Sequence, residues 1–270
     1  MTKNNYNTRW FVFSGSCLLL RKPSAEGQPH SIPCSPEPPT PTREWTTFQQ
    51  LPPTADGTPQ KAYSVSTPAE VDGHVFTGLR ESYQRLRLDD YLMAGKASEL
   101  LYWDSNTRYC GVCGAPMHRV TAISKQCTNC GKEVWPQVSP AIIVRIRRRM
   151  PSGREQILMV HARNFRRSEM YGLVAGFVET GETLEQCVER EVWEETHLHI
   201  KNIRYFASQP WPYPSGIMIA FTADYDSGEL VVQEEELTRA AWFSRENMPP
   251  IPEKLSIARM LIDDWLKNML

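Results

Sequence analysis

Three carboxylates and four thiols are the groups whose types and spacing could do chemistry in this chain. Glu191, Glu194 and Glu195 stand at i, i+3 and i+4 within TLEQCVEREVWEET (183–196). On a helix, at about 100° per residue, they share an arc of about 100° on one face. Carboxylates so close repel one another unless a cation lies among them. An all-oxygen cluster suits Mg²⁺ or Mn²⁺, which bind through a few carboxylates together with substrate phosphates. The preceding Arg190 can neutralise part of the cluster and orient a carboxylate. A solvated acidic helix face accounts for the spacing equally well. The thiols are Cys110, Cys113, Cys127 and Cys130, in YCGVCG (109–114) and QCTNCGK (126–132). Two CxxC knuckles put four sulfurs within reach of one tetrahedral metal, with glycines at 111, 114 and 131 letting the backbone turn tightly. Four protein ligands leave no open position, so the metal is expected to be structural zinc rather than a catalytic ion.

These groups need elements to hold them. Thr183 with Gln186 fits a capping box, so a helix should start there. Strands are expected at AIIVRI (141–146), QILMVHA (156–162), NIRYFAS (202–208) and IMIAFTADY (217–225), with ELVV (229–232) as another. GLVAGFVE (172–179) is apolar and punctuated by glycine. Helical periodicity marks DDYLMAGKASELLYW (89–103) and EKLSIARMLIDDWLKNML (253–270). Mixed strands with poor βαβ alternation suggest an α/β sandwich rather than a doubly wound sheet. Near the start, WFVFSGSCLLL (10–20) reads as a hairpin, strands 10–13 and 17–20 around a Ser-Gly turn, and not as a signal peptide. Ten prolines fall between residues 23 and 59. Such a stretch is extended and loop-like, either a long excursion inside an N-terminal domain or a disordered linker. No internal repeat is evident by eye.

The 270 residues allow two domains or more, and the net charge of −1 gives no global basic field for nucleic acid. No apolar run approaches the roughly 18 residues that cross a bilayer, so no membrane partner is expected. Seven cysteines, an odd number with two CxxC pairs, point to metal ligands and spare thiols in a reducing cytoplasm.

Gly176, Glu182, Arg190-Glu191, the aliphatic Val192, Glu194-Glu195 and the aliphatic Leu198 resemble the Nudix box, G-x5-E-x7-R-E-U-x-E-E-x-G-U with U aliphatic. One position departs: His197 replaces the glycine expected to end the helix in a left-handed conformation. Downstream, SQPWPYPSG (208–216) resembles the SQPWPFPxS signature of the NADH pyrophosphatase branch, with Tyr213 for phenylalanine and Gly216 for the final serine. Its prolines argue against a strand interior and for a rigid loop presenting two rings. A zinc ribbon after a divergent N-terminal domain also fits this branch.

The resemblance implies an α+β protein: a Nudix α/β/α sandwich with a mixed sheet at 136–270, preceded by a zinc ribbon at 105–135 and an N-terminal α+β domain at 1–104 that carries the proline-rich excursion. It implies hydrolysis of NADH or NAD⁺ to AMP and nicotinamide mononucleotide, and removal of NAD caps from RNA 5′ ends, with Mg²⁺ or Mn²⁺ catalytic and Zn²⁺ structural. By position, Glu191, Glu195, the Ala175 carbonyl and Glu236 are the metal ligands, with Glu194 nearby and Glu195 as base; Glu234 and Glu235 are alternatives to Glu236. Phe177 is placed for the nicotinamide ring. Ser208, Gln209, Pro210, Trp211, Pro212, Tyr213, Pro214 and Ser215 form the clamp. Ala258, Trp135 and Arg80 match further substrate contacts, while Ala122 stands where the branch has a glutamate. A homodimer is expected. Two other functions compete: an ADP-ribose or other dinucleotide pyrophosphatase, and a zinc-ribbon nucleic-acid binder with an inactive Nudix domain. Retention of every box glutamate argues against the binder, and the clamp argues against the other pyrophosphatases.

Overall fold

A computed structural model describes residues 7–163 and 169–267. Contacts divide the chain into two compact units, one running to Gln137 and including Pro212–Ser215, the other comprising Val138–Trp211 and the chain from Gly216 onward.

The first unit holds β1 (Thr8–Ser14), β2 (Cys17–Arg21), β3 (Cys34–Ser35), β4 (Gln49–Leu51), β5 (Gln60–Ser64), β6 (His74–Gly78), α1 (Leu79–Ser82) and α2 (Leu88–Asn106), then a small sheet of β7 (Met117–Thr121), β8 (Ser124–Cys127) and β9 (Glu133–Val134). The expected hairpin is there: Phe13 faces Leu18 and Ser14 faces Cys17, around Gly15 at φ 57°. The proline-rich stretch is an ordered excursion rather than a linker. β3 pairs with β1, the Trp10 indole donates to the Ser35 carbonyl at 3.0 Å, and the Thr40 and Tyr63 hydroxyls meet at 2.7 Å. Phe48 closes the stretch against Trp10 and Tyr63.

The second unit holds β10 (Ser139–Arg149), β11 (Glu155–Ala162), β12 (Val174–Phe177), α3 (Leu184–Thr196), β13 (His199–Trp211), β14 (Gly216–Ser227), β15 (Leu237–Phe243), a 3₁₀ turn at Arg245–Asn247 and α4 (Ile257–Lys267). The last three residues of the expected terminal helix lie outside the described residues. Successive side chains of a strand point to opposite faces, and β10 shows what that does here. Ile142, Val144 and Ile146 join Val188 and Val192 of α3 in one core, while Ile143 joins Ala258, Leu261 and Trp265 of α4 in another. The mixed sheet, order β13-β14-β10-β11-β15 with β12 beside β10, is therefore sandwiched between two helices.

Two expectations are corrected. Residues 229–232 form no strand: Val231 donates its N–H to the Thr196 carbonyl at the end of α3, and Leu230 and Val232 pack on the α3-side core from a loop. SQPW (208–211) does lie in a strand, the end of β13. β13 is at the sheet edge and ladders on one side only, which is where proline is tolerated.

The two six-stranded sheets also repeat each other, which the sequence did not reveal. β1 and β10 each pair antiparallel with the next two strands and parallel with β5 and β14 respectively. The strand orders β4-β5-β1-β2-β6 and β13-β14-β10-β11-β15 correspond position for position. Where the second sheet has α3 between its third and fourth strands, the first has the loop 36–48.

Candidate active site

α3 begins where its sequence says. Thr183 Oγ1 accepts from the Gln186 N–H at 3.2 Å, and Gln186 Oε1 accepts from the Thr183 N–H at 2.8 Å. Cys187, Val188 and Val192 seat one face in the sandwich. The helix ends at His197, left-handed at φ 56° and ψ 25°, the conformation expected of the residue that stands in for glycine.

The adjoining face carries the carboxylates. Glu191 and Glu195 are 8% and 4% exposed; Glu194 is open to solvent. Arg190 ties the group together. Its Nε and Nη2 grip Glu182 at 3.0 and 2.7 Å, Nη1 donates to Glu191 and Glu194 at 2.9 Å each, and Nη2 donates to the Phe177 carbonyl at 3.0 Å. Those bonds pull Glu182 down to about 2. Gly176 is needed for closeness rather than for its dihedrals: a Cβ there would fall 1.9 Å from the Glu191 carboxyl carbon. β12 thus runs directly against α3 at the cluster, with Ala175 opposite Ile143 of β10.

Charge accumulates at the buried end. Glu195 is pushed up to about 8, first by burial and then by the charges of Glu191, Glu236 and Glu194. Burial also raises Glu191, with Glu194 and Glu236 adding to the shift against the pull of Arg190. Glu236 is therefore electrostatically part of the cluster, on the loop that the Glu195 carbonyl holds by accepting from Gln233 at 3.0 Å. Glu195 Oε2 is buried with no hydrogen-bond partner. A buried oxygen without a donor, among acids that raise one another, is an arrangement a cation would complete.

The remaining expected site residues fall in both units. In the second, Phe177 is 66% exposed at the end of β12, and Ser208 and Pro210 are exposed on β13. Gln209 has both amide atoms engaged: it donates to the Leu255 carbonyl and accepts from the Ile257 N–H, each at 2.8 Å. It thereby fixes the start of α4, whose Ala258 faces the sheet. Trp211 ends β13 opposite Gly216. In the first unit, Tyr213 donates to or accepts from the Tyr91 hydroxyl at 2.7 Å, and the Arg80 guanidinium lies 5.3 Å from its ring centroid. Arg80, Pro212, Tyr213 and Pro214 line one hollow of about 560 Å³. Ser215 donates to the Gln137 carbonyl at 2.8 Å, and Trp135 is 49% exposed. The Ala122 carbonyl accepts from Gln49 at 2.7 Å.

Two contributors carried no sequence signal. Cys187 donates its thiol to the Phe177 carbonyl at 3.4 Å, beneath Arg190. Tyr91, one of the apolar positions of α2, positions Tyr213. Neither belongs to a motif, and only the fold brings it to its partner.

The four ribbon sulfurs all lie within 4.8 Å of one another, with Cys110 and Cys130 at 3.6 Å and Cys113 and Cys127 at 3.5 Å. Tetrahedral sulfurs about 2.3 Å from zinc sit about 3.8 Å apart, so the cluster has the dimensions of a structural zinc site.

Three family models match the chain: an NADH pyrophosphatase-like rudimentary NUDIX domain over residues 7–103, an NADH pyrophosphatase zinc ribbon domain over 105–134, and a NUDIX domain over 139–264. Among curated proteins, the chain is 39% identical over 216 residues to the NAD-capped RNA hydrolase NudC of Stutzerimonas stutzeri, covering 80% of this chain and 76% of that protein. It is 38% identical over 236 residues to the protein of the same name from Pseudomonas aeruginosa, covering 83% and 81%. To that of Yersinia pestis it is 44% identical over 191 residues, covering 70% and 71%.

Proposed function

Because this chain belongs to the NADH pyrophosphatase family of Nudix hydrolases, we propose that it hydrolyses the pyrophosphate of NADH and NAD⁺ to AMP and nicotinamide mononucleotide and removes NAD caps from RNA 5′ ends. The observation that carries the reading is the carboxylate cluster of α3, with its buried, unpartnered Glu195 oxygen. We assign the catalytic domain to 136–270, the ribbon to 105–135 and the N-terminal domain to 1–104.

The all-oxygen donor set of Glu191, Glu195, Glu236 and the Ala175 carbonyl suits Mg²⁺ or Mn²⁺. A divalent cation held there would polarise the phosphoryl oxygens and lower the pKa of a water. The protein supplies the rest. Arg190 orients Glu191 through one arm and fixes the loop before α3 through Glu182, and Gly176 gives Glu191 its room. Glu195 accepts the proton of the attacking water, with Glu194 at the open rim. Phe177, exposed at the lip, offers its ring to the nicotinamide. Ser208, Pro210 and Trp211 on β13 and Pro212, Tyr213, Pro214 and Ser215 beyond it present the clamp to the dinucleotide; Gln209 serves by positioning Ala258 at the head of α4. Arg80 supports the Tyr213 ring, and Trp135 is a further aromatic contact. Zn²⁺ holds the ribbon through Cys110, Cys113, Cys127 and Cys130.

We extend to this chain the family's homodimer. No described helix is long and apolar enough to cross a membrane. All seven cysteines are free of disulfides, which supports a reducing cytoplasm as its compartment. The test is incubation with Mg²⁺ or Mn²⁺ and, separately, NADH, NAD⁺, ADP-ribose and NAD-capped RNA, reading AMP release and decapped RNA. Turnover of NADH and capped RNA above ADP-ribose is expected. Preference for ADP-ribose would move the chain to the other dinucleotide pyrophosphatases, and no turnover of any would leave a nucleic-acid binder.

A further inference from the structure

The N-terminal sheet repeats the catalytic topology without its glutamate helix, and the loop 36–48 in the helix's place carries only Glu37, Arg43 and Glu44 as charged residues. The turn Arg43–Thr46 is closed by two bonds, Arg43 N–H to Thr46 Oγ1 and Thr46 N–H to the Arg43 carbonyl, each 2.9 Å. It holds Trp45 73% exposed, with the Arg43 guanidinium 5.3 Å from the ring centroid. Trp45, Arg43 and Arg108 line a hollow of about 500 Å³ whose other walls are largely Ser and Thr. The acid in that lining, Asp104, is already compensated by ion pairs to Arg119 and, at 2.9 Å, to Lys125. Glu44 shares the turn but does not line the hollow. The hollow therefore offers uncompensated positive charge beside an exposed aromatic face.

It does not stand alone. Ser64, Leu101 and Ser105 line both this hollow and the one formed by Arg80, Tyr213 and Pro214. Within the first unit the two hollows thus adjoin, one with Arg80 and Tyr213 and the other with Arg43, Arg108 and Trp45. Arginines beside stacking faces suit the backbone and bases of a single strand. The arginine run at 145–149 is taken up by partners within its own unit. Arg145 is bonded to Asp264, Arg147 to Asp224, Arg149 to Glu155, and Arg148 lies 4.3 Å from the Trp242 ring centroid.

We propose that these adjoining hollows of the degenerate Nudix repeat form a track for single-stranded RNA, with Trp45 stacking a base and Arg43 and Arg108 meeting phosphates. The proposal rests on the capped-RNA part of the proposed function. The track binds RNA irrespective of sequence and takes no part in hydrolysis.

The test uses the full chain and a labelled, uncapped single-stranded RNA of about ten nucleotides, with binding read by fluorescence anisotropy. Trp45→Ala should weaken binding roughly 10-fold, as expected for loss of one base stack, and Trp45→Phe should retain most of it. Arg43→Ala with Arg108→Ala should lower the slope of log affinity against log salt by about 1.4, at roughly 0.7 per phosphate contact. The same variants should raise KM for NAD-capped RNA and leave NADH turnover unchanged. Unaltered anisotropy in both variants would overturn the track, as would an equal loss on NADH and capped RNA. Absence of NADH turnover in the unsubstituted chain would overturn the diphosphatase reading instead, and the anisotropy arm would still decide the track.

Discussion

Replacing Glu195 by glutamine should stabilise the cation-free chain while abolishing hydrolysis. Glu195 is 4% exposed, one of its oxygens has no partner, and its acidity is moved from 4.5 to about 8. Between those values the folded chain keeps a proton that the unfolded chain has released. Folding is thus favoured by protonation at this site, and stability falls as pH rises from 4.5, the loss completing near the folded value of about 8. At about pH 7.5 the difference approaches three units, or about 4 kcal/mol at 1.36 kcal/mol per unit. Glutamine removes this cost but leaves an amide in a site with no partner, which returns about 1–3 kcal/mol. The net gain is about 2 kcal/mol, a rise in Tm of roughly 4–8 °C. Thermal melts without added divalent cation, from acid to alkaline pH, should show the two curves crossing, with the glutamine variant melting below the parent at acid pH, where the parent's acid is already protonated, and above it beyond neutrality. Added Mg²⁺ should raise the parent's Tm and move the variant's far less, because a cation that binds only the folded site stabilises it by mass action. Hydrolysis should fall by about 100-fold or more, as loss of a proton acceptor implies. A variant that melts at or below the parent at every pH would refute the reasoning, since Glu195 would then not be an uncompensated buried acid.

Other substitutions probe the same frame. Gly176→Ala would place a methyl 1.9 Å from the Glu191 carboxyl carbon; NADH turnover should drop about 100-fold, the order that a displacement of about 1 Å in a catalytic group costs, with Tm nearly unchanged because the obstacle is a side-chain end. His197→Gly removes a side chain from a left-handed position at φ 56° and should gain about 1 kcal/mol by thermal melt, with kcat within about two-fold. Gly216→Ser restores the family hydroxyl, but its Cβ would meet the Ser139 carbonyl at 3.3 Å and the Trp211 carbonyl at 3.4 Å. It should lower Tm by an amount equivalent to about 1 kcal/mol, and unchanged relative turnover of NADH and ADP-ribose would show that the missing hydroxyl does not set specificity.

What the sequence made legible was local. The α3 cap, the face shared by Glu191 and Glu195, the left-handed His197 and the four-sulfur cluster follow from residues a few positions apart, and the structure has each in place. What it concealed depends on register between distant segments. Nothing near Gly176 announces that a carboxylate fifteen residues later lies against its α-carbon; that is a consequence of β12 running under α3. Nothing near the arginines of 145–149 shows that their partners, Asp224, Glu155 and Asp264, are supplied by other strands and a helix. The prolines of SQPWPYPSG argued against a strand, and 208–211 lie in one all the same, because β13 is an edge, where Pro210 can pair with Ile217.

The duplicated sheet explains why the two repeats diverged without losing their shared topology. A sheet's strand order is kept by apolar alternation and register, and many residues satisfy those demands. The connection that crosses its face must only cover that face. In the catalytic repeat α3 does so with Cys187, Val188 and Val192 while its other side carries the carboxylates. In the N-terminal repeat, Trp10, Val12, Leu19 and Tyr63 are covered with the help of Phe48, and the Thr40–Tyr63 hydroxyl pair pins the loop before it. Once an aromatic cluster closes the core, nothing in the fold requires acids at this connection. The loop 36–48 carries two acids and one arginine, where α3 carries five acids and one arginine.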